Sequence, residues 1–180
     1  MTHVAAVTCA ESLFTQYHDR LLRYFSRAAG ERETARDLAQ EVFLRVSRTA
    51  IPTAPENQLA GWLFKIARNV ALDHHRQQRR RPETASCSAP EDAKDAQQEM
   101  ALALKQALAT LPDLDRDVFL LREVSGLSRE EIATACELTP DAVRSRIHRT
   151  RLELRAVLAA PIRALRQGRI HPIGNTRTPR

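Results

Sequence analysis

The sequence contains few residues of the kinds on which several protein classes depend. Among its 180 residues are five glycines, and none begins a phosphate-binding loop of the G-x-x-x-x-G-K type. The three cysteines, Cys9, Cys87 and Cys136, are widely spaced and form no C-x-x-C pair, which argues against a disulfide framework or a zinc site. We expect Cys136 to pack in a core, and we expect no metal ion or other cofactor.

Long apolar runs are missing as well. A membrane-spanning helix needs about 18 or more consecutive apolar residues, and no stretch of the sequence approaches that length. The N-terminal segment MTHVAAVTCAESLF lacks the basic and apolar regions of a signal peptide. These absences predict a cytoplasmic protein with no membrane insertion.

Residues arranged for catalysis are scarce. His74 and His75 are adjacent, and neighbouring side chains on a helix point about 100° apart, so the two would not ligate one metal ion. A histidine pair on a basic helix more often lies on a surface. The sequence therefore predicts a protein that is not an enzyme.

Positive charge, in contrast, is plentiful. The formal net charge is +6 and the isoelectric point is near 9.9, which favours a polyanionic partner. The length suits one larger domain or two small ones.

Apolar residues recur at helical spacing along most of the chain, and no strand alternation is visible, so the predicted fold is all-α. The predicted helices cover residues 11–29, 33–48, 59–81, 100–111, 113–124, 128–136 and 139–160. The segment 51–58, IPTAPENQ, contains two prolines and predicts a loop. Residues 82–97 are small, polar and acidic, which is typical of a flexible linker. The basic tail, 161–180, is expected to be disordered and to strengthen nucleic-acid contact nonspecifically.

The segment from Leu127 to Leu158 has the signals of a helix-turn-helix. Ser128 and Glu131 have the spacing of a capping box, in which each side chain accepts a hydrogen bond from the other residue's amide. Thr139 is a good N-cap residue, and Pro140 suits the first helical position because its missing N–H is not needed there. Two helices about three residues apart are typical of the DNA-binding motif whose second helix enters the major groove.

The second helix of this motif has one apolar face and one basic face. At about 100° per residue, one stripe is expected to pack on the rest of the domain; it comprises Val143, Ile147, Thr150 and Leu154. The opposite side carries Asp141, Arg144, Ser145 and His148, with Arg149 at its edge and Arg146, Arg151 and Arg155 flanking it. Arginine suits such a face because its fork bonds guanine O6 and N7 together and its charge neutralises phosphate. An arginine-rich face can instead be merely solvated, but here the caps and the apolar stripe agree with the charge pattern.

Three separate blocks share the pattern of one family. They are DLAQEVFLRV at 37–46, GWLFKIARNVALDHHR at 61–76, and the segment from Leu111 to Arg155. Together they resemble the bacterial RNA polymerase sigma factors of the sigma-70 type, in particular the short extracytoplasmic-function group, in the right order and spacing over residues 11–158. The resemblance implies an alternative sigma factor that binds core RNA polymerase and reads the −10 and −35 elements of promoter DNA.

The same resemblance implies a domain division and a set of partners. It predicts two small helical domains joined by the flexible linker: a region 2-like domain over 8–81, the linker over 82–97, a region 4-like domain over 98–160 and the tail over 161–180. An anti-sigma factor is a further partner that is common in the family.

The resemblance also implies three binding surfaces. The core-polymerase surface comprises Asp37, Gln40, Glu41 and Phe43. The surface for the melted −10 strand comprises the loop before the third helix and one side of that helix, namely Glu56, Asn57, Gln58, Leu59, Trp62, Lys65, Arg68 and Asn69. The surface for the −35 duplex comprises Arg144, Ser145, Arg146, His148 and Arg149. Housekeeping members carry an aromatic cluster where this chain has only Trp62, so a narrow promoter set is favoured.

Two interpretations compete with this one. Trp62 can be a core residue instead of a stacking residue. The whole chain can be a stand-alone helix-turn-helix regulator that binds duplex DNA and never enters polymerase. That alternative explains residues 126–158 but leaves Asp37, Gln40, Glu41 and the Trp62 helix without a task.

Overall fold

A computed structural model describes the chain over residues 2–80 and 96–166. Every regular element in these two ranges is a helix, in agreement with the predicted all-α fold. The helices are α1 (Thr2–Ala29), α2 (Arg32–Ser47), α3 (Glu56–Arg80), α4 (Ala96–Thr110), α5 (Asp113–Glu123), α6 (Arg129–Cys136) and α7 (Pro140–Arg166). Within the same ranges, no helix is long and apolar enough to cross a membrane.

Helices α1, α2 and α3 pack together as a first bundle. Its largest fully buried side chains include Tyr17, Leu21 and Phe25 of α1 and Leu63 and Phe64 of α3. The predicted stripe of α2 is buried as well; it comprises Ala35, Leu38, Val42 and Val46. Burial of each such aliphatic or aromatic side chain contributes roughly 1.5–3 kcal/mol, so the apolar spacing of these helices accounts for their association.

Helices α4 to α7 form a second bundle that contains the helix-turn-helix. The predicted apolar stripe of α7 is confirmed, since all four of its residues are buried; they are Val143, Ile147, Thr150 and Leu154. Cys136 is also buried, as predicted, and burial raises the pKa of its thiol to about 12. The stripe therefore faces the core and leaves the opposite side of α7 to solvent.

The predicted helix starts of the helix-turn-helix are confirmed in detail. The Glu131 amide donates to Ser128 Oγ at 3.1 Å, and the Ser128 amide donates to Glu131 Oε2 at 2.6 Å, which completes the capping box. Thr139 Oγ1 accepts from the Ala142 amide at 3.2 Å. Between the two helices Glu137 adopts φ 57°, a left-handed conformation that no other non-glycine residue adopts in the described ranges. Left-handed backbone costs an ordinary residue about 1–2 kcal/mol, so the sharp turn is held by its two capped helices.

Two predicted helix starts in the first bundle differ from the structure. Helix α1 begins at Thr2, nine residues before Glu11, because the intervening segment contains no residue that stops a helix. Helix α3 begins at Glu56, so three residues of the predicted loop lie in its first turn. The carbonyl of Pro55 accepts from the amides of Gln58 and Leu59, and a proline just before a helix does not need its own N–H.

The second bundle also departs from prediction at its two ends. Helix α4 begins at Ala96, which takes in the last residues of the predicted linker 82–97, and the remainder of that linker lies outside the described residues. Helix α7 continues through Pro161 to Arg166, where a disordered tail was predicted. A proline removes one backbone hydrogen bond but leaves the others in place, and α7 already has more than five turns before it. Residues 167–180 of the predicted tail also lie outside the described residues.

Candidate functional site

The exposed side of α7 forms a broad basic hollow. Arg144, Ser145 and His148 are exposed and line a hollow of about 820 Å³. Arg122 of α5 and Arg129 of α6 line the same hollow and were not among the predicted residues. Their contribution depends on how α5, α6 and α7 pack, which the pattern of any single helix does not reveal. The hollow brings four arginines to one surface; they are Arg122, Arg129, Arg144 and Arg151.

The arginines that flank the hollow have different surroundings. Arg149 is exposed at its edge, as predicted. Arg151 donates to the Glu123 carboxylate at 2.6 Å on the surface. Arg146 instead turns toward α5 and pairs with the half-buried carboxylate of Asp115. Arg146 therefore links α5 and α7, and its role as a DNA contact stays a prediction.

A second basic surface lies where the end of α2 meets α3. Trp62, Lys65 and Asn69 line a cleft of about 420 Å³ with Arg45, Arg48, Thr49 and Ile66. Arg45 and Arg48 were missed by the sequence analysis because they belong to α2, and only the packing of α2 on α3 brings them to the cleft. Trp62 is partly buried against the core and also lines the cleft, so its role as a stacking residue stays a prediction.

The remaining residues predicted for this surface are spread along α3. Gln58 is exposed and Leu59 is partly buried in the first turn of the helix. Glu56 and Asn57 begin that turn, and their side chains lie outside the described set. Arg68 is not in the cleft; its Nε donates to Asp117 Oδ2 in the second bundle at 2.8 Å. Lys65 lines the cleft but also contacts the second bundle, donating to Glu137 Oε1 at 2.6 Å.

The exposed side of α2 carries the residues predicted to bind polymerase. Asp37 and Gln40 are exposed, whereas Glu41 is partly buried and accepts from Arg45 Nε at 2.8 Å. Phe43 is partly buried, and its ring meets the edge of Phe14 with 4.7 Å between centroids. These positions form one continuous side of α2 next to α1.

Two exposed apolar residues beside that surface were not predicted to be part of it. Leu44 is 50% exposed and Phe14 is 44% exposed, although Phe14 fits the periodicity of the apolar stripe of α1. Aromatic residues such as Phe are enriched at protein interfaces relative to the rest of the surface. We define the docking face as Asp37, Gln40, Glu41, Phe43, Leu44 and Phe14.

Comparison with known proteins finds that two families match separate parts of the chain. The family described as "Sigma-70 region 2" matches residues 13–81, which include the docking face and the cleft of α3. The family described as "Sigma-70, region 4" matches residues 101–154, which include the helix-turn-helix.

Curated relatives extend the match over most of the chain. The ECF RNA polymerase sigma factor SigE of Mycolicibacterium smegmatis is 36% identical over 86% of this chain, which spans 63% of that longer protein. The RNA polymerase sigma factor CarQ of Myxococcus xanthus is 33% identical over 82% of this chain and 88% of its own length. The RNA polymerase sigma-H factor of Pseudomonas aeruginosa is 31% identical over 77% of this chain and 80% of its own length.

Solved structures share the fold. CnrH in complex with the cytosolic domain of CnrY superposes with a TM-score of 0.64 at 23% identity, covering 88% of this chain and 97% of CnrH. The sigma factor RpoE in complex with the anti-sigma factor NepR from Bartonella quintana gives a TM-score of 0.59 at 22% identity, covering 83% of this chain and 96% of RpoE.

Proposed function

Because the chain belongs to the extracytoplasmic-function group of the sigma-70 family, we propose that it is an alternative sigma factor that binds core RNA polymerase and directs transcription initiation. The observation that carries this function is the presence of both sigma regions, each with an exposed basic surface, in one chain. We assign the first bundle to a region 2-like domain over 8–81 and the second bundle to a region 4-like domain over 98–160, with residues 82–97 as the linker between them and 161–180 as the tail.

A stand-alone helix-turn-helix regulator is not favoured. It would use the second bundle alone and would leave residues 13–81, which match region 2, without a role. Co-purification with core polymerase in the absence of DNA distinguishes the two functions. A sigma factor binds core polymerase without DNA, whereas a stand-alone regulator does not. In vitro transcription with core polymerase and a genomic promoter library then tests initiation and reveals the promoter sequences.

The docking face combines exposed polar and apolar side chains, which supports its assignment to polymerase binding. Asp37 and Gln40 present polar groups to solvent, while Leu44 and Phe14 add exposed apolar area beside them. Buried apolar anchors with a polar rim are the usual composition of a protein interface. Glu41 is already bonded to Arg45, so we assign it a smaller share of the docking energy than Asp37.

The cleft of α3 suits a single nucleic-acid strand. Arg45, Arg48 and Lys65 supply positive charge for the backbone, Trp62 supplies a ring for stacking, and Asn69 supplies an amide that both donates and accepts hydrogen bonds. An unpaired base needs such a pocket because its Watson–Crick edge and both faces become available once the duplex opens. We assign this cleft to the melted −10 strand.

Replacing Asn69 with alanine is expected to weaken transcription or to shift the preference for −10 bases. Losing a side chain that bonds or stacks with an unpaired base costs on the order of 1–3 kcal/mol. The variant is measured by in vitro transcription and permanganate footprinting on a duplex promoter recovered from the library. A template mismatched across the −10 element should recover part of the lost activity but not the base preference.

Gln77→Ala is the matched control for Asn69→Ala, because Gln77 is also exposed on α3 but lies outside the cleft. It should leave footprint, activity and preference unchanged. Normal strand opening and an unchanged −10 preference in the Asn69 variant would remove the cleft from the proposed −10 surface.

The hollow beside α7 suits duplex DNA. Arg144, Ser145 and His148 occupy the exposed side of a helix that begins in a capped turn, and Arg122 and Arg129 widen the positive surface for phosphates. We assign this surface, together with Arg149 at its edge, to the −35 element.

Alanine at Arg144 or Arg149 is expected to lower affinity for a duplex carrying the −35 element. A lost bidentate contact to a base is worth about 1–3 kcal/mol and relaxes preference at one position, whereas a lost phosphate contact weakens all sequences equally. Binding to a set of single-base variants of the duplex distinguishes the two roles. Glu153→Ala, also exposed on α7, should not lower affinity. If both arginine variants bind as tightly as the parent, the −35 assignment is wrong.

The remaining parts of the proposed function follow from the family. A factor of this kind acts by binding and positioning, so we assign it no catalytic activity, and we place it in the cytoplasm, where polymerase works. An anti-sigma factor is a proposed further partner, in keeping with the fold shared with RpoE in its NepR complex.

A further inference from the structure

Four helices line a cavity that belongs to none of the three proposed binding surfaces. It has a volume of about 510 Å³ and lies where the last turns of α1 and the second half of α3 meet α4 and α5. Ligand-binding pockets in proteins typically have volumes of roughly 300–1,000 Å³. The cavity is therefore large enough to hold a small molecule.

Most of the cavity wall is apolar. Small and aliphatic residues from α1 and α4 form it, and they include Ala28, Ala29, Ala101, Leu102, Leu104 and Leu108. Leu104 is partly buried against the core, whereas Leu102 is 43% exposed. An occupant that covers these side chains is stabilised because it removes apolar surface from water. The wall therefore favours a ligand with an apolar chain.

The same cavity carries positive charge. Arg27 of α1, Lys105 of α4 and Arg116 of α5 line it, and no lining residue among those described is acidic. Arg27 and Lys105 are exposed, and neither has an ion-pair partner within residues 2–80 and 96–166. Arg116 is already paired with Asp113 at 2.7 Å, so its charge is partly balanced. Two unpaired cations therefore border the apolar wall.

The two unpaired cations lie at the same end of α1. Arg27 is in its last turn, and a Cβ added at Gly30, just after that turn, would lie 3.1 Å from Lys105 Nζ. The partial charge at a helix C-terminus is about −0.5, so it balances only part of these two positive charges. His75 also lines the cavity, and burial together with the nearby Arg116 charge lowers its pKa, which favours a neutral ring. This end of the cavity is therefore the expected place for an anionic head group.

We propose that this cavity binds a small amphiphilic anion, a molecule with one apolar chain and one carboxylate or comparable anionic head group. A purely apolar molecule would leave Arg27 and Lys105 without a counter-charge, and a small hydrated anion would leave the apolar wall uncovered. A carboxylate suits the site because arginine can bind it through two parallel N–H···O bonds. The inference goes beyond the proposed function and does not depend on it, since such a ligand binds without DNA or polymerase.

Titration calorimetry of the full chain with decanoate, below its micellar concentration, tests the proposal. Saturable binding of one molecule per chain is expected. Octanoate should bind roughly 15-fold more weakly, because each methylene group removed from water raises affinity about fourfold. Octanol, which has the chain of octanoate without its charge, should bind about tenfold more weakly than octanoate. Absence of decanoate binding, or equal affinity for octanol and octanoate, would overturn the proposal.

Two variants locate the binding at this cavity. Arg27→Gln combined with Lys105→Gln removes both unpaired cations and should weaken decanoate binding at least about tenfold. Ala101→Glu adds a carboxylate and extra volume to the wall and should abolish binding. All three positions are exposed, so the helicity measured by circular dichroism should stay that of the parent chain. The matched control is Arg32→Gln combined with Arg36→Gln, which removes two exposed cations of α2 outside the cavity and should leave the affinity unchanged.

Vesicles of phosphatidylglycerol distinguish a free amphiphile from a membrane lipid. A free molecule is favoured because the cavity has walls for a chain, whereas an open basic surface would suffice for a lipid head group. Co-sedimentation with these vesicles should be the same for the Arg27 and Lys105 double variant as for its control. A fall in that variant alone would assign the site to a membrane lipid and overturn the free ligand. Decanoate binding that is unchanged in both cavity variants would place the ligand elsewhere and overturn the site.

Discussion

Replacing Asp117 with alanine is expected to uncouple the two bundles. The Asp117 side chain is 7% exposed and accepts from Arg68 across the contact, so its removal leaves a largely buried guanidinium without its partner. Losing one member of a buried pair typically costs about 3–5 kcal/mol. We expect the lower end of that range, because Arg68 is long enough to turn toward solvent.

The measurement uses the single tryptophan of the chain. Trp62 lies in the first bundle, so its fluorescence reports the unfolding of that bundle, whereas circular dichroism reports both. In the parent chain the two denaturant curves should coincide, and in Asp117→Ala they should separate, since coincidence of different probes is the mark of a single transition. Asp115→Ala is the control, because it removes a carboxylate that pairs with Arg146 inside the second bundle. The Asp115 variant should lower the denaturant midpoints of the fluorescence and circular dichroism curves by the same amount.

The double variant Arg68→Met with Asp117→Leu sharpens the test. Replacing both members of a buried pair with apolar residues of similar size is often neutral or stabilising. The two curves should coincide again, at a midpoint no lower than that of the parent chain. If the single Asp117 variant already shows coincident curves with an unchanged midpoint, the pair does not couple the bundles.

Alanine at Asp37, Gln40 and Glu41 together is expected to weaken binding to core polymerase strongly while the fold survives. Truncating charged groups that become buried in an interface costs about 2–5 kcal/mol, and 2 kcal/mol corresponds to a loss of roughly 30-fold in affinity. The fold should survive because Asp37 and Gln40 are exposed and Glu41 only bonds Arg45 on its own helix. Affinity is measured by titrating core polymerase without DNA, and helicity by circular dichroism.

Glu33→Ala is the control for charge alone, since Glu33 is an exposed carboxylate in the first turn of the same helix and outside the docking face. It should change affinity little. Unchanged helicity together with unchanged affinity in the triple variant would show that the docking face has been assigned to the wrong residues. Adding Leu44→Ala should weaken binding further, because this residue is half exposed and apolar.

Local signals in the sequence were sufficient to predict most of the fold. The capping box of Ser128 and Glu131, the Thr139 cap and the buried stripe of α7 depend on residues a few positions apart, and the structure confirms each of them. The helix ends were less predictable. The start of α3 depends on the Pro55 carbonyl, and the passage of α7 through Pro161 depends on the many other hydrogen bonds of that helix.

The sequence predicted the binding surfaces only where all the residues of a surface lie on one helix. The periodicity of α7 predicts that Arg144 and His148 share an exposed side, but it does not predict that Arg146 pairs with Asp115. The contact between α3 and α6 joins residues about 70 positions apart, such as Lys65 and Glu137. Its signals in the sequence are Gly61 in the second turn of α3 and Asp117 on the buried side of α5, and neither residue indicates which partner it contacts. These long-range pairings require the structure.

The buried thiol of Cys136 is a natural probe for separation of the two bundles. The thiolate is the form that attacks an alkylating reagent, and a thiol with a pKa near 12 that is shielded from solvent spends almost no time in that form. The charges of Arg68 and Asp117 both act on this sulfur, which places it near the contact between the bundles. In a chain with Cys9 and Cys87 replaced by serine, the rate at which an alkylating reagent modifies Cys136 should therefore measure how often the contact between the bundles opens.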